Sequence, residues 1–191
     1  MITFDYPIVN NILLFQKGPF SQWYGAYKGQ KHKLEIPYKD FPNWYHYYSV
    51  SDFVNTDGNI SFNCAEQAMM FYKALFFNDK ETSEKILKET NPRYQKDLGR
   101  LVRNYNDIKW SNHRFEAIRM INKYKFKDNS DLKEFLISTN HLILAEASPW
   151  DRIWGIGLAP DDKRAHDVST WQGKNLLGRV LMSVREDFNR E

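Results

Sequence analysis

The amino-acid sequence predicts an α+β fold, a single compact helix-rich domain over residues 1–191 with a few short strands. Three observations lead there. The 191 residues suit one core rather than two. Apolar residues recur at helical spacing through most of the stretch from 63 to 138 and again from 174 to 188. The only short apolar runs that read as strands lie near the two ends of the chain.

Taken in order, residues 11–15, Asn-Ile-Leu-Leu-Phe, form a strand that runs into a loop broken by Gly18 and Pro19. Residues 28–59 hold prolines and scattered aromatics without a sustained period. They read as an irregular, aromatic-rich insertion that allows a hairpin, with a turn at Thr56-Asp57-Gly58-Asn59 ahead of Ile60-Ser61-Phe62. Ala65, Ala68, Met69, Tyr72, Leu75 and Phe76 make one apolar stripe, which predicts a helix over 63–77. A second helix is expected over 79–89. Asn91 followed by Pro92 opens a third with a capping residue and proline at the first helical position. Residues 110–126 and 128–138 give two more, with Phe115, Ile118, Met120, Ile121 and Tyr124 toward the buried side of the first. Leu142 to Ala145 reads as a buried strand, 155–172 as loop, and 174–188 as a last helix.

Composition excludes several classes. With 42% apolar and 27% charged residues the chain is not of the disordered type, and a formal charge of +3 lacks the basic footprint of a dedicated nucleic-acid-binding domain. A small phosphorylated ligand fits that charge better. Cys64 has no second cysteine to pair with, no leader-like segment opens the chain, and no apolar run approaches a membrane span. A cytoplasmic location and no membrane association are therefore expected. The five histidines lack metal-ligand spacing, so no metal is expected, and neither a Walker motif nor a complete dinucleotide fingerprint appears.

Three segments carry candidate chemistry. In the 63–77 helix, Glu66, Met70 and Lys73 share a face beside the apolar stripe, where a carboxylate and an ammonium two turns apart can flank a ligand. A surface ion pair is the plainer account of the same spacing. Around the end of the 142–145 strand, Glu146, Trp150, Asp151 and Trp154 crowd a proline turn. There a partly buried Glu146 would suit acid/base work, although a helix-capping or ion-paired role for it and core tryptophans weigh about equally. Lys96, Arg100 and Arg103 recur at near-helical spacing and offer either a phosphate-binding face or a merely solvated one.

These segments together resemble the NADAR (YbiA-like) family. The resemblance rests on ordered blocks: Gly18-Pro19-Phe20-Ser21-Gln22-Trp23; Asn63-Cys64-Ala65-Glu66-Gln67-Ala68-Met69-Met70; Asn91-Pro92 through Leu98-Gly99-Arg100; Trp110 with Arg114; Lys125-Phe126; Glu146 through Gly155; and Trp171-Gln172-Gly173-Lys174-Asn175-Leu176-Leu177-Gly178. The 28–59 insertion is the main departure. The resemblance implies a YbiA-like fold and an N-glycosidase that hydrolyses the bond between a base and a phosphorylated ribose, such as the phosphoribosylamino-pyrimidine intermediates of riboflavin biosynthesis, with no cofactor. It implies Glu66 as the carboxylate that meets the oxocarbenium-like state or activates water, with Glu146 and Asp151 next. Trp110, Trp150 and Trp154 would stack on the base, and Lys73, Lys96, Arg100 and Asn175 would hold phosphate or ribose. Two alternatives remain beside this reading: an ADP-ribosyl-guanine hydrolase acting on ADP-ribosylated nucleic acid, and a non-catalytic module that binds ADP-ribose or a related nucleotide.

Overall fold

The computed structural model describes residues 5–27, 30, 32–46 and 48–191. The chain is built from two compact units. One is the continuous segment Gln22–Asn129; the other joins the residues before it to Ser130–Glu191.

In the second of these, strands β1 (Ile8–Val9) and β2 (Ile12–Phe15) pair antiparallel, and β2 pairs parallel with β5 (Ile143–Glu146) in the register Ile12↔Ile143 to Phe15↔Glu146. The β1–β2 turn is made by Asn10 and Asn11, both with positive φ, the left-handed pair that a two-residue hairpin requires. β2 is buried at every position, as expected of a central strand covered on both faces. One face packs Ile12 and Leu14 with Ala145, Ala147, Ile156, Leu158 and Ala165. Elsewhere in the unit, rings gather around Phe20, which stacks on Tyr6 and Phe135 and meets Phe15 edge-on. Helices α5 (Ser130–Ser138) and α6 (Leu176–Arg190) complete the unit, and α6 lies against β5. Gly178 permits that approach, since a Cβ there would stand 2.0 Å from the Leu144 carbonyl oxygen.

The continuous unit holds the small antiparallel pair β3 (Glu35–Pro37) and β4 (Asn59–Ser61), followed by α1 (Ala65–Phe76), α2 (Lys80–Lys88), α3 (Pro92–Arg100) and α4 (Asp107–Lys127). The expected turn before Ile60 forms as Asn55 accepts from the backbone N–H groups of Asp57 and Asn59, with Gly58 at positive φ. The insertion expected from Lys28 opens on residues outside the described set. Its described part holds short 3₁₀ turns at Tyr38–Asp40, Trp44–His46 and Tyr48–Phe53.

Three helix starts have a local cause in a capping side chain. Asn91 accepts from the N–H of Arg93 with Pro92 behind it, Asp79 accepts from Thr82, and Asn106 accepts from Lys109. That last cap starts α4 three residues ahead of the expected 110. α1 packs against α2, α3 and α4, so Ala65 through Tyr72 are all buried rather than one stripe of them. Among the described residues no helix is long and apolar enough to cross a membrane.

Candidate active site

The loop before α1 and the first turn of that helix set Glu66 in place. Its backbone N–H donates to the Gln22 carbonyl at 2.9 Å, and its Oε2 accepts from the indole Nε1–H of Trp23 at 3.3 Å. With 3% exposure Glu66 is buried, so the surface ion pair that its spacing also allows is not what forms. The carboxylate stands in the first turn of α1, at the positive end of the helix dipole.

Polar side chains are buried beneath that turn. Gln22 donates from Nε2 to Asn122 Oδ1 at 3.1 Å, and Asn122 returns its own amide N–H to the Ile118 carbonyl one turn back on α4. Three residues on, Lys125 is fully buried, and burial pushes its ammonium down to about 7. Its Nζ lies 5.7 Å from the centre of the Tyr24 ring. Cys64, at the N-cap of α1, lies within electrostatic reach of both Glu66 and Lys125, and burial pushes its thiol up to about 12. His32, edge-on to Tyr24, is held down to about 4 by burial and then by the charge of Lys125. The unit thus gathers an acid, an amine and a neutral imidazole around the start of α1.

Two turns further along α1, Lys73 donates to the Gly99 carbonyl at 2.7 Å, and its Nζ lies 4.2 Å from the centre of the Tyr105 ring. Burial lowers its pKa, and it is within electrostatic reach of Asp107, Arg100 and Glu66. Of those charges Glu66 acts least on Lys73. Arg100 is exposed and bonded to Asp97 at 2.8 Å, and Lys96 is half-buried on the same helix. Trp110 is 5% exposed, its ring packed among Tyr72, Phe76 and Phe77, which leaves little face open to a base.

The remaining sequence candidates belong to the other unit. Asp151 Oδ1 accepts from the backbone N–H groups of Ile153 and Trp154, closing the turn that Pro149 opens. Trp150 stands 94% exposed at that turn, Trp154 is half-buried, and Glu146 ends β5 half-buried. Asn175 has φ 49° and 2% exposure. Its amide donates to the Leu144 carbonyl at 2.8 Å and accepts from the Glu146 N–H at 3.1 Å. Both ends of that side chain are engaged in fastening the start of α6 to β5.

Sequence reasoning did not assign roles to Trp23, Gln22, Arg114, Asn122 or Lys125. The signal was present in the phase of α4: Arg114, Ile118, Asn122 and Lys125 follow one another at i+4 and i+3, so polar residues occupy positions on an apolar strip.

A fold of this kind is seen in the solution structure of the Escherichia coli protein YbiA, which matches 97% of this chain and 89% of its own with a TM-score of 0.61 at 21% identity. A family model described as the NADAR domain matches residues 14–189, and the chain belongs to that family. An N-glycosidase of Acanthamoeba polyphaga mimivirus is 39% identical over 147 residues, 77% of this chain and 86% of its own. The irg-1 protein of Caenorhabditis elegans is 43% identical over 68% of this chain, and a riboflavin biosynthesis protein of Vibrio vulnificus 29% identical over 73%. The matched region spans only 62% and 35% of those last two proteins.

Proposed function

We propose that the protein is an N-glycosidase that hydrolyses the bond between a base and the anomeric carbon of a phosphorylated ribose. The observation that carries the reading is Glu66, a buried carboxylate held by Trp23 at the positive end of α1, with the Lys73 ammonium within electrostatic reach two turns away. It stands in a chain whose mimiviral relative is named an N-glycosidase.

As the bond to nitrogen lengthens, positive charge grows on the sugar. A fixed carboxylate in a water-poor setting stabilises that charge more than it stabilises the neutral substrate. Glu66 lies opposite the anomeric carbon or its attacking water, and accepts the proton that water releases as its oxygen bonds to that carbon. The base leaves with the electron pair of the broken bond and takes up a proton, so the products are free base and ribose phosphate. Lys73, with Arg100 and Lys96 nearer the surface, balances the phosphate. Glu146 and Asp151 are the further carboxylate candidates, and Trp150 and Trp154 the further stacking candidates.

Phosphoribosylamino-pyrimidines are the substrate we favour, supported by relatives named as riboflavin biosynthesis proteins. Purified protein incubated with such a compound, and separately with ADP-ribosylated DNA, tests this by chromatography of released base and ribose phosphate. Release from the first alone supports the reading. Release from the second alone transfers the activity to ADP-ribosyl groups on nucleic acid. Binding of either without release overturns the enzyme in favour of a binding module.

A further inference from the structure

Arg114 has no role in the site as described so far, yet it is the least explained charge in the continuous unit. It sits on α4 one turn after Trp110 and one before Ile118, with only 7% of its surface exposed. Among the described residues no carboxylate pairs with its guanidinium. Its Nε, shielded from solvent, donates to no acceptor. A shielded donor left without an acceptor is unfavourable, and proteins otherwise avoid it by pairing or solvation. The buried carboxylate Asp79 shows how this chain treats such a charge elsewhere, since Arg103 and two backbone N–H groups satisfy it.

Around Arg114 the structure sets an aromatic ring, a second cation and one carboxylate, Asp107. The guanidinium is within electrostatic reach of Tyr105, the ring that stands over Lys73 Nζ. Tyr105 itself donates to Asp107 at 2.7 Å, which fixes the ring. Lys73 from α1 stands over the Tyr105 ring, and the charge of Arg114 from α4 reaches the same tyrosine. Glu66 lies on the same strip of α1 as Lys73, seven residues or about 10 Å along the axis. A ribose with its anomeric carbon at the acid end directs its 5-phosphate toward the cation end.

We propose that Arg114 is a ligand-binding residue whose guanidinium, together with the Lys73 ammonium, receives the phosphate of the ribosyl substrate in a site beside Tyr105. The assignment rests on the reading of the protein as acting on a phosphorylated ribose, and moves the principal phosphate contact from the exposed Arg100 to a buried, planar donor. A guanidinium presents two parallel N–H bonds to a phosphate, and shielding from water strengthens both.

The test uses ribose 5-phosphate and ribose as probes on the full chain, with binding read by calorimetry and by the Nε–H resonance of Arg114 in the wild type. Ribose 5-phosphate is expected to bind and to move that resonance, and ribose to do neither. Arg114→Gln, and Arg114→Lys, which keeps the charge but not the fork, are expected to weaken binding by tenfold or more. Arg93→Gln, which removes an exposed charge on α3, is expected to change it less than twofold. Should Arg114→Gln not fold, the wild-type resonance and Arg114→Lys decide. Ribose 5-phosphate that binds without moving the resonance, binds equally to the Arg114 variants, or does not bind at all overturns the assignment. If the probe binds through Arg114 while no N-ribosyl compound is cleaved, the phosphate site stands and the enzymatic reading falls.

Discussion

Trp23 and Glu66, 43 residues apart in sequence, are joined by an indole-to-carboxylate hydrogen bond of 3.3 Å, and the backbone of the neighbouring Gln22 holds the Glu66 amide at 2.9 Å. One loop therefore fixes both the position and the orientation of the carboxylate.

Trp23→Phe keeps a ring in that loop and removes only the donor. Turnover should fall by roughly tenfold, the scale of one hydrogen bond to a charged group. The Michaelis constant and the melting temperature should change little. A fall in stability that matches the fall in activity would mark Trp23 as packing alone.

Glu66→Gln preserves the acceptor for Trp23 while discarding the charge. Turnover should drop by roughly a hundredfold or more, as expected for the loss of one preorganised catalytic group. Calorimetric binding of ribose 5-phosphate should survive in the same variant. Full activity would leave Glu66 as a structural acid.

Lys125 gives stability an unusual pH dependence. Burial lowers its folded pKa to about 7, so the penalty for charging it is complete below that pH. As pH rises above 7 the unfolded chain holds more protons than the folded one, and stability increases by up to about 1.4 kcal/mol per pH unit. The Cys64 thiol, folded near 12, works the other way once the unfolded thiol ionises near about 8.5. Urea unfolding should show stability climbing from about pH 7 to about 8.5 and then flattening, with the climb absent in Lys125→Met. An unchanged climb in that variant would assign it to another group.

Burial raises the pKa of Asp79, but the bonds from Arg103 and Thr82 outweigh it and hold the carboxyl down to about 2. The stability it contributes is present above its unfolded value of about 3.9 and is lost as pH falls through about 2, amounting to at most about 3 kcal/mol before screening. Because Arg103 is largely exposed, solvent screening reduces that figure. Acid unfolding of Asp79→Asn should lose this component of the pH dependence.

Asn175→Ala removes both bonds to β5 and places a Cβ residue without a side-chain amide in the left-handed region. A loss of about 2–4 kcal/mol is expected, read by urea unfolding. Asn175→Gly, free of the backbone strain, should lose less. A stable Ala variant with a raised Michaelis constant would instead return Asn175 to ligand binding.

Helix starts were legible because their causes are local. Asn91-Pro92 announces α3 in two residues, and the structure uses both. Asn106 carried the same signal for α4 but stood ahead of an apolar period that begins only at Trp110. Charged residues deep in the fold were much less legible. Hydrophobic periodicity counts apolar positions, so Arg114, Asn122 and Lys125 read as interruptions of a strip when they are members of it. Glu66 was picked out by its phase with Lys73, but its burial follows from three other helices packed around α1, which no local pattern contains.

The parallel pairing of β2 with β5 has a consequence for how the chain is made. Residues 12–15 leave the ribosome early with only the short β1 beside them, and their other edge has no partner until 143–146 follow, whereas Gln22–Asn129 emerges as one uninterrupted stretch with helices that contact near neighbours in sequence. During synthesis the segment that carries Glu66 can reach its native packing while the apolar β2 still waits as an open edge. That edge is the part of the nascent chain most exposed to mispairing.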